Sequence, residues 1–514
     1  MAGIGFTLKK LFQEESFTQR TKAYLYSALV AAGPWIAAVL TVNSLVILSQ
    51  WIIETNIQRD LFMGTIVYSF VFSQILTAPW QLIITRYISD KLYLKTYEYI
   101  KPSSIGLTKI VGLLNLTAAI LFYYNKELPV PYKIMSVTLF VLLSMIWIIM
   151  VYLSAVKDYG LIAKAYILGG VVTLGLGILF ANYPLPFPEF QAGSNLLFSY
   201  LIGMTLTLII LAYTFFGNFK YGNNLQYDFL HVLDKFPSLF MVGLFYTMGL
   251  WIDDILMWFS FVGVSIYNTY LYAPLYDNAI FLAYLTIIPT MVLFIVSIEI
   301  EFYDTYKKYY GLVNGKGTYR QILIANKEMR RSLYRQIAYT FEIQALLSLT
   351  LILTAPQIFF IMGGPIIVRS IFQVCAIGAL FNIFVFVIML VMLYFEARVR
   401  AVLIALCFFF TNLLFTLFFI PSGLEYYGYG FMLSSITTFI FSVLIAMQFL
   451  RRVDYVTFGK QPLFNEKKEY FFTWLSKRLN ARMERKGNPR RNRRRRRRSK
   501  IRGWQDEKNN NNAS

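Results

Sequence analysis

Long apolar runs recur along this chain of 514 residues, and each is about as long as a helix that crosses a membrane. About 20 apolar residues in a helix span the roughly 30 Å of hydrocarbon in a bilayer, where every backbone polar group must be bonded internally. The pattern therefore predicts an all-α polytopic membrane protein with about 12 transmembrane helices. The predicted helices cover residues 24–53, 61–85, 105–124, 134–156, 160–182, 195–216, 237–262, 278–299, 338–357, 370–395, 401–420 and 428–450.

The Lys and Arg residues between these runs predict how the chain crosses the membrane. Loops that stay in the cytoplasm are rich in Lys and Arg, whereas translocated loops are not. Alternate loops are basic here, and the six loops on the opposite side hold only Arg59, Lys126, Lys133 and Arg369. This alternation predicts an even number of crossings of a plasma membrane, with both termini in the cytoplasm.

The predicted helices divide into two sets of six around a polar connector at residues 217–236. Two six-helix lobes packed about an axis along the membrane normal enclose a substrate path between them, which is an architecture of transporters. The predicted units are a cytoplasmic N-terminal segment at 1–23, an N-lobe at 24–216, the connector at 217–236, a C-lobe at 237–450 and a cytoplasmic tail at 451–514.

Two predicted cytoplasmic regions are not membrane helices. Inside the C-lobe, residues 300–337 are expected to form a long loop in which Asn326–Tyr339 makes a basic amphipathic helix at the membrane surface. The tail holds 15 of the 21 net positive charges and includes six consecutive arginines at 493–498, a composition typical of a largely disordered arm. Anionic lipid is the expected partner of the tail, and no nucleic acid partner is expected. The alternative interpretation of the tail is that it binds RNA or an acidic protein.

The composition agrees with a membrane transporter and argues against an enzyme. Apolar residues make up 57% of the chain and charged residues only 15%, so the chain does not fit a set of soluble domains. His231 is the only histidine, and Cys375 and Cys407 both lie in apolar runs. We therefore expect no disulfide scaffold, catalytic residue, metal site or cofactor.

Asp253 and Asp254 are the acidic residues that lie well within an apolar run, the seventh. A carboxylate that faces lipid at this depth costs on the order of 2–3 kcal/mol, so each must face a wet cavity, be paired or be protonated. Adjacent residues on a helix point about 100° apart. We expect one aspartate to line a substrate or ion pathway and the other to pair with a neighbouring helix, with a purely structural pair as the alternative.

Neutral polar residues at membrane depth are further pathway candidates, since they can bond a sugar-like substrate, although bonding between helices is their more frequent use. They are Asn43, Gln74 and Asn382, together with Asn115, Gln373 and Asn412.

Prolines inside the first, second and eighth runs favour kinks, because each frees a backbone carbonyl. These are Pro34, Pro79 and Pro289. Basic and acidic residues at cytoplasmic helix ends are candidates for a latch between the lobes, with snorkelling into headgroups as the alternative. The hinge and gate candidates are Gly33, Pro34, Trp35, Pro289, Arg86 and Glu299.

Four sequence elements resemble the PelG family, the membrane transporters of Pel exopolysaccharide export systems. They are Met1–Phe6, Gly33-Pro34-Trp35, the Trp251-x-Asp253 element and Arg452–Phe458, so the resemblance runs from Met1 to about Phe458. That family is grouped with the multidrug/oligosaccharidyl-lipid/polysaccharide exporters, the MOP superfamily that includes MATE transporters. The resemblance implies twelve helices in two lobes of a bacterial plasma-membrane protein.

The resemblance also implies a function: export of an N-acetylhexosamine-rich, partly deacetylated polymer for a biofilm matrix. Implied partners are a cytoplasmic glycosyltransferase and membrane components of a complex regulated by cyclic di-GMP. This chain departs from the family pattern in two places. Asp254 stands where a basic residue often follows the aspartate, and the arginine-rich tail lies outside the pattern.

Other functions fit parts of the same pattern. A lipid-linked oligosaccharide flippase or a cation-coupled small-molecule exporter would share the architecture. A membrane-integral glycosyltransferase or polymerase is a third possibility, but outward loops of about 14 residues or fewer leave no room for an external catalytic domain.

Overall fold

The computed structural model describes residues 40–45, 47–51, 53, 56–156, 159–187, 190–219, 222–296, 302–315, 317–361, 363–455 and 470–487. Eleven helical spans in these ranges are long and apolar enough to cross a membrane, and they match the second to twelfth predicted runs. Residues 40–45 and 47–51 of the first run are helical. The hinge candidates Gly33, Pro34 and Trp35, the gate candidate Glu299 and the arginine run at 493–498 lie outside the described residues.

The first half contains five described membrane helices. Their bounds are α1 Asn56–Tyr93, α2 Ile100–Tyr123, α3 Val130–Val156, α4 Tyr159–Asn182 and α5 Gln191–Asn218, with a 3₁₀ turn at Tyr97–Tyr99 before α2. Buried α3 packs against α1, α2 and α5, and α4 packs along α5. The α4–α5 contact is close because Gly203 has no side chain: a Cβ there would lie 1.9 Å from Thr173 Oγ1. Small residues of this kind let membrane helices approach each other.

The connector is short and partly helical, with a 3₁₀ turn at Asp228–Leu230 and helix α6 at His231–Lys235. The second half then begins with α7, Pro237–Trp258, followed by a hairpin of β1 Val264–Ile266 and β2 Tyr270–Tyr272. The strands are antiparallel, with Ile266 opposite Tyr270.

The rest of the second half is helical. It comprises α8 Pro274–Leu285, α9 Ile288–Val296, α10 Tyr303–Asn314, α11 Tyr319–Ile361, α12 Ile366–Tyr394, α13 Arg398–Phe419 and α14 Tyr429–Arg451, with 3₁₀ turns at Ile420–Ser422 and Leu424–Tyr426. Helix α13 packs against α7 and α14, while α12 packs against α8 and α14. The main packing contact between the halves joins α1 to α7.

The eighth predicted run is two helices. Helix α8 ends at Leu285 and α9 begins at Ile288, one residue before Pro289. Proline has no N–H to donate to the carbonyl four residues earlier, which accounts for a break at this point. Pro79, in contrast, lies inside the continuous helix α1.

The prediction that residues 300–337 form a long loop is wrong for most of the described residues in this range, which are helical. Residues 303–314 form α10, and Asn326–Tyr339 is helical as expected but belongs to the 43-residue helix α11, which continues through the ninth predicted run to Ile361. Hydropathy detects only the part of a helix that lies in hydrocarbon, so a membrane helix that extends into water is predicted too short.

The tail also contains structure that its composition does not predict. Residues Phe471–Gly487 form a helix, α15, which packs against the connector at 228–235. The expectation of a largely disordered tail is therefore wrong for this segment.

Candidate transport pathway

Asp253 lies in the last two turns of α7 and is fully buried. Its carboxylate accepts a hydrogen bond from the Tyr276 hydroxyl of α8 at 2.6 Å and one from Asn412 Nδ2 of α13 at 3.0 Å. Asn412 Nδ2 also lies 2.9 Å from the Gly249 carbonyl of α7. A buried carboxylate is costly unless hydrogen bonds replace its hydration. Asp253 thus has the position expected of the aspartate that pairs with neighbouring helices.

Asp254 is also buried but has a different environment. Its Oδ2 atom has no hydrogen-bond partner among the described residues, although the side chain is only 3% exposed. On the same stripe of α7, Trp251 donates to Gln74 of α1 at 3.0 Å, and Trp258 stacks on Tyr68 of α1 with ring centroids 4.9 Å apart. The stripe that carries Asp254 is therefore the side of α7 that meets the first half of the chain.

A third carboxylate, Asp277 of α8, completes the acidic cluster of Asp253, Asp254 and Asp277. Asp277 accepts hydrogen bonds from the Trp258 indole at 3.0 and 3.2 Å and from the Ala273 backbone N–H at 3.1 Å. It is absent from the candidates predicted from sequence because it lies one residue before the eighth apolar run, which begins at residue 278. Its position directly before that run is the one signal that could have found it.

The acidic cluster makes no ion pair with a described Lys or Arg. The described residues also contain no group of three His, Cys, Asp or Glu side chains able to hold a metal ion. Nearby negative charges in a medium of low dielectric constant repel each other. The cluster can therefore attract a proton, a monovalent cation or a cationic group on a cargo.

The other predicted polar residues have mixed positions. Gln74 links the two halves through Trp251, and Asn382 accepts from the Tyr246 hydroxyl at 3.4 Å while its amide nitrogen is buried without a described partner. Asn115 bonds the Val111 carbonyl in its own helix. Gln373 bonds the Ile352 carbonyl of α11, and Asn43 is exposed in the segment 40–45, so neither belongs to the acidic cluster.

Charged residues join the halves at the end of the bundle where α1 ends and α7 begins, which we call the basic end. Arg86 of α1 forms a 2.5 Å ion pair with Glu396, which lies in the turn between α12 and α13 and also pairs with Arg398 at 3.3 Å. Glu396 has a φ of 56°, an unusual value for a residue other than glycine. The guanidinium groups of Arg86 and Arg398 lie 5.1 and 4.0 Å from the ring centroid of Phe236.

Arg86 and Glu299 are both latch candidates from the sequence; Glu299 lies outside the described residues, and the described partner of Arg86 across the halves is Glu396. Arg86 and Glu396 are 310 positions apart in sequence. No local pattern could have identified the pair, although both residues lie at predicted cytoplasmic helix ends.

The opposite end, which we call the hairpin end, is closed by β2. Tyr270 is fully buried in the first half, where its hydroxyl lies 2.7 Å from the Tyr123 hydroxyl and 3.0 Å from Thr65 Oγ1. Burial raises the pKa of Tyr270 to about 12, so the hydroxyl keeps its proton at neutral pH. A Cβ at Gly64 would lie 2.8 Å from the Tyr270 ring, so glycine leaves the space for this side chain.

The hairpin makes a second contact with the first half. The Tyr68 hydroxyl donates to the Leu271 carbonyl at 2.8 Å and accepts from the Leu271 N–H at 2.9 Å. At the tip, Lys126 Nζ donates to the Asn268 carbonyl at 3.2 Å. Sequence reasoning missed this hairpin and extended the seventh helix to residue 262.

Comparison with known proteins identifies the family. The model of the PelG family, described as "Putative exopolysaccharide Exporter (EPS-E)", matches residues 1–458. The chain belongs to the PelG family. The resemblance seen in the sequence is thus confirmed, and α15 lies beyond the residues that the PelG-family model matches.

Solved structures confirm the predicted fold class of this PelG-family protein. A multidrug resistance MATE family transporter of the MOP superfamily, in an outward-facing conformation, has a TM-score of 0.58 and 14% identity, with 84% of this chain and 96% of that chain covered. A MOP superfamily transporter from Pyrococcus furiosus has a TM-score of 0.57 and 13% identity, with coverages of 84% and 96%. The Vibrio cholerae MATE transporter VcmN in its bent form has a TM-score of 0.57 and 14% identity, with coverages of 85% and 99%.

At these identities the likeness shows a shared fold. No curated protein matches the chain. The PelG-family protein is a multi-pass membrane protein with the MATE/MOP transporter fold, and its family is one of exopolysaccharide exporters.

Proposed function

We propose that this protein exports a Pel-type exopolysaccharide across the bacterial plasma membrane, with the polymer passing between the two halves of the bundle. The observation that carries the proposal is the buried Oδ2 atom of Asp254, which has no hydrogen-bond partner among the described residues and lies on the face of α7 that meets α1. The match to the PelG family over residues 1–458 supports the class of cargo.

The acidic cluster suits a partly deacetylated, N-acetylhexosamine-rich polymer. Deacetylated amino sugars carry ammonium groups, and an ammonium group beside Asp254 would give its Oδ2 atom a donor, which no residue in the described ranges provides. The aromatic rings of Trp251 and Trp258 flank Asp254 on the same stripe of α7, and aromatic faces attract cations.

Asp253→Asn and Asp254→Asn test this function. In cells that make the polymer, we expect Asp254→Asn to lower secreted polymer several-fold at unchanged membrane abundance, because the amide removes the negative charge but keeps the shape. Asp253→Asn should lower secretion less, since the amide keeps an acceptor for one of its two donors. Glu425→Gln is the matched control, because Glu425 is an exposed carboxylate in the loop between α13 and α14.

Unchanged secretion by Asp254→Asn would refute the role of the acidic cluster. Inverted membrane vesicles test a cation-coupled small-molecule exporter. That alternative would be favoured if the vesicles take up small organic cations and Asp254→Asn abolishes this uptake while polymer secretion stays normal. Sugar transfer from nucleotide sugars by the purified chain would support the glycosyltransferase alternative.

Export of a polymer also requires the protein that makes it. We expect a cytoplasmic glycosyltransferase and membrane components of a cyclic-di-GMP-regulated complex to bind this protein, with the glycosyltransferase at the basic end where the polymer would enter. Affinity purification of the tagged full-length chain from mild detergent measures this. Absence of a glycosyltransferase from the purified material after cross-linking would contradict the expectation.

A further inference from the structure

Helix α15 is held to the connector by specific polar contacts. The Asp234 carboxylate caps the start of α15, accepting from the Phe472 N–H at 3.2 Å and the Thr473 N–H at 2.5 Å. On the following turns, Ser476 donates to the Tyr227 carbonyl at 2.8 Å, and Asn480 accepts from the Tyr227 N–H at 3.0 Å. A carboxylate at a helix N-terminus satisfies backbone N–H groups and interacts favourably with the helix dipole. One face of α15, on which Ser476 and Asn480 are buried, is thus docked on the protein.

The opposite face of α15 combines aromatic and basic side chains. Phe471, Trp474 and Arg478 follow one another at helical spacing, and Ala481 continues the stripe with an exposed side chain. Phe471 is 64% and Trp474 46% exposed, although both are large apolar groups. The Arg478 guanidinium lies 5.1 Å from the Trp474 ring centroid, so the charge and the aromatic surface form one continuous patch.

The connector places α15 beside the membrane-spanning helices. Asp228 accepts from the Tyr87 hydroxyl at 3.0 Å and pairs with Lys91 at 2.9 Å, and both partners lie in the last two turns of α1. The connector ends at Phe236, and α7 enters the bundle at the next residue. Since α15 packs directly on this connector, it lies at the basic end of the bundle, close to the end of α1 and the start of α7.

The charge of α15 and of the chain after it identifies the partner. Helix α15 carries five basic residues and one acidic residue, and residues 490–502 add ten more basic residues and no acidic one. Aromatic side chains next to Lys and Arg on an amphipathic helix are typical of helices that lie in the membrane interface and bind anionic headgroups. An acidic protein surface would match the charge but would not account for the exposed Phe471 and Trp474 on a helix docked beside the ends of membrane helices.

We propose that α15 is a lipid-binding helix: Phe471 and Trp474 enter the interface of the bilayer, and Arg478 binds the phosphates of anionic lipids. The other face stays on the connector, so the bound membrane surface fixes residues 227–234. Phe236, whose ring lies beneath the guanidinium groups of Arg86 and Arg398, comes shortly after this segment in the chain. Lipid contact at α15 therefore holds the segment that carries part of the basic-end contact between the halves.

A fluorophore on the exposed stripe tests the proposal in the full-length protein. Cys375 and Cys407 are replaced by alanine, Ala481→Cys is labelled with the polarity-sensitive probe NBD, and the protein is reconstituted into nanodiscs of phosphatidylglycerol or of phosphatidylcholine. We expect a blue-shifted, brighter emission in phosphatidylglycerol and at least twofold stronger quenching there by spin-labelled lipid. Raising the salt concentration should reduce the difference.

Variants separate the parts of the proposed contact. Phe471→Ser with Trp474→Ser should abolish the blue shift, and Arg478→Gln should shrink the difference between the two lipids. Lys308→Gln is the matched control, since Lys308 is an exposed basic residue of α10. A thiol cross-link between Tyr227→Cys and Asn480→Cys, in samples without the probe, shows whether α15 stays docked in each variant.

Three results would overturn the proposal. They are equal emission in the two lipids, a blue shift that persists after replacement of Phe471 and Trp474 while the cross-link still forms, and a shift that appears only when an acidic protein or RNA is added. The last result would assign the patch to a macromolecular partner. None of these results bears on polymer secretion, so this inference fails or stands separately from the proposed function.

Discussion

The Tyr270 hydroxyl joins the hairpin to the first half, so Tyr270→Phe should weaken closure at the hairpin end. The substitution keeps the buried ring and removes two hydrogen bonds, at 2.7 Å to Tyr123 and 3.0 Å to Thr65. A hydrogen bond contributes about 0.5–1.5 kcal/mol net, so the loss is about 1–3 kcal/mol. If the contact exists only in the closed state, the ratio of open to closed molecules should rise about 5- to 150-fold.

Spin labels on the two halves can measure that ratio. Tyr124→Cys, at the end of α2, and Asn268→Cys, at the hairpin tip, are both exposed, and the native cysteines are replaced by serine. Pulsed electron paramagnetic resonance should show a longer-distance population that grows in Tyr270→Phe. Tyr267→Phe is the matched control, because Tyr267 is an exposed tyrosine of the same hairpin. A change below twofold in Tyr270→Phe, or an equal change in the control, would refute the reasoning.

Two further substitutions test the basic end and the packing of the first half. Arg86→Gln should raise the ratio of open to closed molecules at the basic end by no more than about fivefold, because exposed ion pairs contribute about 0–1 kcal/mol and Glu396 is 51% exposed. The exchanged pair, Arg86→Glu with Glu396→Arg, should restore the distances between spin labels at that end. Failure to restore them would contradict the latch. Gly203→Ala should destabilise the protein by about 1–3 kcal/mol, because its Cβ would lie 1.9 Å from Thr173 Oγ1. Thermal unfolding in detergent measures this loss of stability. Gly217→Ala in the same helix is the control, since nothing lies within 4 Å of a Cβ there. Equal melting temperatures for the two variants would contradict the packing argument.

The membrane helices can be predicted from sequence because the bilayer imposes a length and an apolar composition on each of them. Helix α11 shows the limit of this signal. Its residues 319–337 are too polar for hydrocarbon and resemble a loop, yet the helix continues through them because its backbone hydrogen bonds do not depend on lipid. Charges therefore mark where a helix leaves the membrane, which is not where the helix ends.

Residues whose position depends on distant contacts cannot be found in this way. The strands of the hairpin have three residues each, and they are held by Tyr270 and Leu271 bonding side chains about 200 positions earlier. The partner of Arg86 is Glu396 for the same reason. Asp253 and Asp254 were detectable because a carboxylate in an apolar run is locally anomalous, whereas Asp277 lies at the edge of a run and is not.

Helix α7 connects both closures to the acidic cluster. It begins after Phe236 at the basic end and ends at Trp258, which stacks on Tyr68 beside the hairpin. At about 1.5 Å per residue, Asp254 lies about 6 Å from the end of α7 at the hairpin and about 26 Å from its start. Cargo that enters at the basic end would therefore cross most of the bundle before it reaches the cluster.

The two closures differ in strength, and the difference suits an exporter. The hairpin end is held by four hydrogen bonds of Tyr270 and Tyr68, worth together about 2–6 kcal/mol; two are buried and two are partly buried. At the basic end, the ion pair that joins the halves is the exposed pair of Arg86 and Glu396, worth about 0–1 kcal/mol. The basic end should therefore open first, admitting polymer from the side that the Lys and Arg residues predict to be cytoplasmic while the hairpin keeps the outer side closed. Under the proposed export function, release of Tyr270 from the first half would be the step that commits the cargo to export.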